Sequence, residues 1–289
     1  MLVYKQHNDI DKTKWDECIT NSINSLPYAY SWYLNLVCDN WDAIVLNDYQ
    51  AVMPLPWKSK FGLRYISHPY FCQQLGVFYT TQTINIDDFI KAIPKSFLFV
   101  RMNLNFSNND SKFTVKTNSN YTIELSEFDH KCQYSKSHLN NIQKAIKKGV
   151  SISLNPDNSD DYSAQKANES SSFMTDKLLK LERKIINHLI DLKKGKIFSA
   201  SLNAENCSSI FLYQENNRLI LLTSYTNREG KKNGAYFYLL DHILNMDQFR
   251  NFIFDFEGSN LVGVAKRNQG FGAVKTTYDT IQSFFWDRF

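Results

Sequence analysis

Two short stretches have the residue types and spacing to do chemistry. The first is Asp255-Phe256-Glu257-Gly258-Ser259, with Phe271-Gly272-Ala273 beginning twelve residues after Ser259. It reads as a buried strand, an acidic tip and a capped helix. The second runs from Lys131 to Lys148, with five lysines and no acid. It reads as a helix with lysines gathered along one side. A carboxylate at a strand end can take a proton from an incoming amine, and a basic helix face can steer an anion. Together the two stretches point to an enzyme that moves an acyl group onto an amine, with donor and acceptor both open.

The chain must supply elements to hold these groups, and its composition allows it. It has 289 residues, enough for one large domain or two moderate ones. Hydrophobic residues make up 43%, so a packed core is within reach and global disorder is excluded. Phe (21) and Tyr (16) outnumber Gly (10) and Pro (6), which argues against a loop-dominated scaffold. The net charge of +4 is too mild to indicate nucleic-acid binding by itself, so local clustering matters more. Cysteines 18, 38, 72, 132 and 207 are odd in number and none are spaced as a metal knuckle or redox pair. This predicts a reducing cytoplasm. The six histidines show no metal spacing, so no metal is expected. The first residues lack the apolar run of a signal peptide, and no run approaches the roughly 20 apolar residues of a membrane helix.

Periodicity predicts strands at Leu2–Lys5, Asp42–Leu46, Gln50–Trp57, Leu63–Ser67, Gly76–Tyr79 and Phe97–Asn103, and one or two more over Thr114–Leu125. Helices are expected at Asp11–Ser22, Ser31–Asp39 and Ile86–Ile93. The second half opens with the basic helix, Tyr134–Lys148, its inward side formed by Leu139, Ile142 and Ile146. A strand at Val150–Leu154 follows, then helices at Asp160–Phe173 and Asp176–Lys193. Strands at Ile197–Leu202, Ser208–Tyr213 and Leu219–Tyr225 lead to a helix at Asn233–Asn245. A strand at Phe252–Phe256, a helix at Ser259–Asn268 and two short strands complete the order. Both halves thus read strand, helix, helix, three strands, helix, strand, then further strands. The predicted boundary lies at Asp129–His130, giving domains of 1–129 and 130–289.

This order resembles the GNAT acyltransferase fold, and a tandem pair of such domains resembles the Fem-type family. Ser135-Lys136-Ser137-His138-Leu139-Asn140-Asn141-Ile142-Gln143-Lys144-Ala145, ending at Gly149-Val150, is similar to that family's serine-then-basic-helix opening of the second domain. Asp255-Phe256-Glu257-Gly258-Ser259 resembles its acidic-glycine strand end, and Gly263, Ala265 and Phe271-Gly272-Ala273 its closing segment. The family often has a lysine just before the Phe-Gly pair. Here Asn268, Gln269 and Gly270 stand there, with Lys266 and Arg267 earlier. The resemblance implies an α+β fold of two tandem GNAT-like domains, each a mixed, mostly antiparallel sheet flanked by helices. It implies an N-acyltransferase common in bacteria, using acyl-CoA as donor and an amine of a small molecule or peptide as acceptor. The alternatives are a Fem-type transferase fed by aminoacyl-tRNA and a degenerate fold that only binds an anionic ligand.

In such a fold the central strands part and the acyl group sits between them. Those strands would be Leu219–Tyr225 and Phe252–Phe256. Glu257, at the end of the second, is the candidate base; its other role is to cap the following helix together with Ser259. Tyr225 is the candidate proton donor to the leaving group, or a surface tyrosine without a role. Asp255 is expected to pair with Lys266 or Arg267. The segment Thr226–Ala235 is a candidate anion site, with Arg228, Lys231, Lys232, Asn233 and Gly234 as cofactor-binding residues together with Lys266 and Arg267; an ordinary basic turn is the other reading. Tyr236 stands where the GNAT loop has Gly or Ala. The helix over 131–148 can face tRNA or another anionic partner, or be a solvated face. In the first half, Tyr70, Gln73 and Gln74 are candidate acceptor-binding residues, or part of a strand break around His68-Pro69 and Gly76.

Overall fold

The computed structural model describes residues 1–81, 84–127, 133–154, 159–169, 174–258 and 260–288. Contacts divide the chain into two compact units, Met1–Asn118 with Thr277–Phe289, and Ser119–Thr276. The boundary expected between 129 and 130 lies outside the described residues.

The first unit contains β1 (Leu2–Lys5), α1 (Lys12–Asn21), α2 (Ser31–Val37), β2 (Asn40–Leu46), β3 (Ala51–Lys60), β4 (Leu63–Ser67), β5 (Phe78–Tyr79), α3 (Ile86–Lys91) and β6 (Phe97–Asn103). The chain's last strand, β13 (Val274–Phe284), enters this unit from Thr277 onward. The sheet order is β1-β2-β3-β4-β6-β13, with β5 beside β3. Neighbours are antiparallel except β4 and β6, which run parallel from Arg64↔Phe97 to Ser67↔Arg101. Helix α1 forms because Asp11 accepts the Thr13 and Lys14 N–H groups at 3.1 and 3.2 Å, and because Trp15, Cys18 and Ile19 share one buried face.

The second unit contains most of β7 (Thr114–Glu124), then α4 (Lys136–Lys147), β8 (Ser151–Leu154), α5 (Ser159–Glu169), α6 (Asp176–Asp191), β9 (Gly195–Leu202), β10 (Glu205–Glu215) and β11 (Arg218–Thr226). Helices α7 (Arg228–Asn233) and α8 (Ala235–Leu244), strand β12 (Ile253–Asp255) and helix α9 (Val262–Gly270) follow. Its order is β7-β12-β11-β10-β9-β8, and β11 with β12 is its parallel pair.

Each face of this sheet has its own helices. Phe198, Ala200, Ile210, Leu212, Leu219 and Leu221 pack in one cluster with Ile142 and Ala145 of α4 and Leu239, Leu240 and Ile243 of α8. Phe211 points the other way and meets Tyr162 of α5, ring centroids 6.4 Å apart. A bulge between Phe211 and Leu212, which face Thr223 and Leu221, leaves Leu222 as the extra residue. The bulge flips the parity of β11, so Leu221 faces the α4/α8 core while Thr223 and Tyr225 face α5 and α6.

Several expectations are corrected. The inward side of α4 is His138, Ile142 and Ala145 with Leu139 packed against the same core, and Ile146 is 48% exposed; small Ala145 lets the helix sit closer than a leucine-sized stripe suggests. The helix expected over Asn233–Asn245 is α8, Ala235–Leu244, and a short helix that was not expected, α7, precedes it; Gly234, with a φ of 73°, ends α7 and starts α8. The two short closing strands are one eleven-residue strand, β13. The last helix starts at Val262 rather than at Ser259, which lies outside the described residues.

Candidate active site

The two central strands of the second unit part. β11 and β12 pair over three residues, Arg218↔Ile253, Leu219↔Phe254 and Ile220↔Asp255. β11 continues to Thr226, while the other chain stays with β7, Phe256 N–H donating to the Tyr121 carbonyl at 3.0 Å. Among the described residues no strand pairs with this edge of β11 beyond Ile220. Six residues of exposed edge amount to roughly 20 Å. The first unit behaves differently at the corresponding place. There β4 pairs with β6 along its length, and His68 N–H and Leu75 N–H extend the ladder to the Arg101 and Asn103 carbonyls, both at 3.1 Å.

At the root of the fork Asp255 is 1% exposed and paired with Arg218, Nη1 to Oδ2 2.6 Å, not with Lys266 or Arg267 as expected. The parallel register explains the choice, because Arg218 opens the strand beside Ile253. The second oxygen, Oδ1, accepts the Glu257 main-chain N–H at 2.9 Å. Glu257 and Gly258 then take left-handed φ values of 57° and 62°, which turn the chain sharply at the fork. The Glu257 side chain is half-buried.

Tyr225 is buried at 5% exposure, so it is no surface tyrosine. Its hydroxyl accepts from Ser209 Oγ at 3.1 Å and donates to Gln165 Oε1 of α5. Glu257 lies two residues past the last β11–β12 pair and Tyr225 five. Three strand residues are roughly 10 Å, so the two candidates occupy different levels of the fork.

Around Tyr225 lies a buried polar group that the residue patterns did not single out. Glu182 of α6 is 3% exposed and accepts from Thr223 Oγ1 at 2.5 Å. Burial raises the Glu182 pKa, partly offset by Lys166 and by the Thr223 hydrogen bond. Lys166 Nζ donates to the Ser224 carbonyl at 2.6 Å, and burial lowers its pKa against the opposing pull of Glu182. Tyr162, fully buried, has its pKa raised well above the ordinary value by burial and then by the Glu182 charge. A signal for Glu182 existed: it interrupts an apolar face with Ile185, Ile186 and Leu189.

The basic candidates separate by exposure. Arg228, Lys231 and Lys232 are exposed on α7, as is Lys266 on α9. Arg267 is half-buried with its guanidinium 4.6 Å from the centre of the Tyr236 ring on α8, which brings α8 and α9 together. Asn233 is 5% exposed and its amide donates to the Glu229 carbonyl (2.9 Å) and carboxylate (3.3 Å). At Gly234 a Cβ would stand 2.4 Å from the Asn141 carbonyl oxygen of α4.

Helix α4 presents Lys136, Lys144, Lys147 and Lys148 to solvent. Its other face is pinned by His138. Nε2 lies 2.8 Å from the Arg267 carbonyl, which can only accept, so Nε2 carries the proton and Nδ1 accepts from Ser135 Oγ at 2.7 Å. Burial lowers the His138 pKa, keeping this neutral form. A Cβ on Gly270 would meet the imidazole at 2.1 Å.

In the first unit Tyr70 is 60% exposed, while Gln73 and Gln74 are 9% and 1% exposed. Gln74 Nε2 donates to Gln73 Oε1 at 2.8 Å, and buried Gln74 Oε1 has no hydrogen-bond partner. His68 joins the same strand break, with Nε2 2.6 Å from the Cys72 carbonyl and Nδ1 accepting the Asn103 N–H at 3.2 Å. Burial lowers its pKa to about 4. Among the described residues no cluster of three His, Cys, Asp or Glu could hold a metal ion, and no helix is long and apolar enough to cross a membrane.

No family model and no curated protein sequence matches the chain. Solved structures do. FemX aligns over 94% of this chain and 96% of its own, with 10% identity and a TM-score of 0.63. A conserved protein of unknown function from Bacteroides thetaiotaomicron VPI-5482 aligns over 98% and 100%, with 11% identity and a TM-score of 0.60. A tandem GNAT protein from the clavulanic acid biosynthesis pathway aligns over 99% of both chains, with 8% identity and a TM-score of 0.59. At such identities the likeness is one of fold: the chain has the α+β, tandem GNAT-like architecture of Fem-type structures.

Proposed function

We propose that the second unit is an N-acyltransferase that passes an acyl group from acyl-CoA directly to an amine. The observation that carries this reading is the fork, which leaves a strand edge able to hydrogen-bond an extended amide-bearing arm after three residues of β11–β12 pairing. The neighbour from the clavulanic acid pathway is described as solved without AcCoA, which supports a CoA thioester as the donor class. In this reading Glu257 takes the proton of the attacking amine, directly or through water, and Tyr225 supplies a proton to the departing thiolate. Arg228, Lys231, Lys232 and Lys266 receive the donor's phosphates, Arg267 adds its charge beside Tyr236, and Asn233 and Gly234 shape the α7–α8 corner. Tyr70, Gln73 and Gln74 are the acceptor-binding group of the first unit, with Tyr70 its exposed member.

The exposed lysines of α4 favour a second reading, aminoacyl-tRNA as donor. One experiment separates the two. Thermal shift with CoA and acetyl-CoA is followed by thiol release with a panel of amines, and charged tRNA is run in parallel. Stabilisation by CoA with amine-dependent thiol release supports the acyl-CoA reading. Transfer from tRNA alone replaces it with the second. Ligand binding without turnover on any donor identifies a binding module and overturns both.

A further inference from the structure

The open edge of β11 is already occupied at one point. Asn227 N–H donates to the Cys207 carbonyl at 3.0 Å and Ser208 Oγ to the Tyr225 carbonyl at 3.2 Å, so residues 225 and 227 turn their main-chain groups toward β10. Main-chain groups alternate along a strand, so the Ser224 carbonyl points away from β10, at the parted side. Lys166 Nζ reaches that carbonyl from α5 at 2.6 Å. The buried Glu182, hydrogen-bonded to Thr223 one residue away, lies within electrostatic reach of Lys166. A main-chain carbonyl freed from strand pairing can hold a primary amine by accepting its N–H, and here the amine belongs to the chain itself.

We propose that the Ser224 carbonyl marks a primary-amine subsite on the open edge of β11, which Lys166 fills from within as an internal acyl acceptor. The proposal rests on the transferase reading above, since it needs an acyl thioester in the fork. Lys166 Nζ, neutral, attacks the thioester carbonyl. The N–C bond forms, the C–S bond breaks, and the proton lost by Nζ ends on the CoA sulfur. The product is an amide, so each chain reacts once. An external primary amine competes for the same place. Burial aids the step by favouring the neutral amine.

The test incubates the whole chain with acetyl-CoA and reads intact mass, peptide mapping and thiol release, with thermal shift as a separate measure of donor binding. The expected result is one acetyl group on Lys166 and one thiol released per chain. Lys166→Ala, checked for folding by its melting curve, should gain no acetyl group. It should acetylate added butylamine at least tenfold faster than the unaltered chain, because the subsite is vacated. Acetyl-CoA binding without acetylation of Lys166 overturns this proposal alone. Acetylation spread evenly over Lys136, Lys144 and Lys147, or no gain with butylamine in Lys166→Ala, also overturns it. Absence of acetyl-CoA binding removes the acyl-CoA reading and this proposal with it.

Discussion

Arg218 Nη1 donates to Asp255 Oδ2 at 2.6 Å, and this pair locks the closed root of the fork. With Asp255 1% exposed, removing the guanidinium leaves a buried, uncompensated carboxylate. Arg218→Ala should lower stability by roughly 3–5 kcal/mol, read from urea denaturation at neutral pH. A loss below about 1 kcal/mol would mean that water or another cation replaces the arginine.

Glu257 is placed by that same carboxylate, through its main-chain N–H to Asp255 Oδ1. Glu257→Gln keeps the turn and removes the base. Amine-dependent thiol release should fall by about 10²–10⁴-fold while the CoA thermal shift is retained. Unchanged turnover would remove Glu257 from the chemistry and leave it a role in the turn.

His68 makes the first unit sensitive to acid. Its pKa is about 4 in the folded chain against an ordinary value of about 6.5. The unfolded chain therefore binds the proton first. The stabilisation is complete above about pH 6.5 and is lost as pH falls toward 4, by up to roughly 3 kcal/mol before solvent screening reduces it. Urea midpoints at pH 7 and pH 4.5 should differ more for the unaltered chain than for His68→Asn. Parallel pH dependence in both would place the acid sensitivity elsewhere.

Two glycines give a matched pair. Gly234 has φ 73° and a Cβ there would be 2.4 Å from the Asn141 carbonyl, whereas a Cβ on Gly263 in α9 meets nothing within 4 Å. Gly234→Ala should destabilise by about 2 kcal/mol or more, combining left-handed strain with a backbone collision. Gly263→Ala should be neutral or stabilise by up to about 1 kcal/mol. Equal melting temperatures for the two variants would contradict this account of the α7–α8 corner.

The lysine row of α4 separates the donors. Changing Lys136, Lys144 and Lys147 to Gln should leave acyl-CoA turnover within about twofold, because these side chains point to solvent. If tRNA is the donor, the triple variant should bind it more weakly and with a shallower salt dependence, in filter binding across a salt series.

Much of the architecture was legible because local pattern and burial agree. Trp15, Cys18 and Ile19 of α1, and Ile185 and Leu189 of α6, stand at helical spacing in the sequence and are buried. The acidic tip at Glu257 was visible because a β-rich run ends there against glycine. The partner of Asp255 was not, since Arg218 is 37 residues away and reaches it only through parallel strand pairing. Lys166 was hidden for the same reason: its acceptor is a main-chain carbonyl 58 residues on, and a carbonyl has no sequence signature. Ile146 was expected inward and is exposed while Ala145 is buried, because a count of apolar residues does not register how close a small one lets two helices come.

The return of Thr277–Phe284 to the first unit sets an order of events during synthesis. The strand that flanks Phe97–Asn103 is made only after the whole of Ser119–Thr276, and the antiparallel ladder from Asn103↔Thr280 to Phe99↔Phe284 cannot form before then. The amino-terminal half must therefore wait, one sheet edge bare, while the intervening segment can already mature. A stop codon at Thr277 would injure the part of the polypeptide made first.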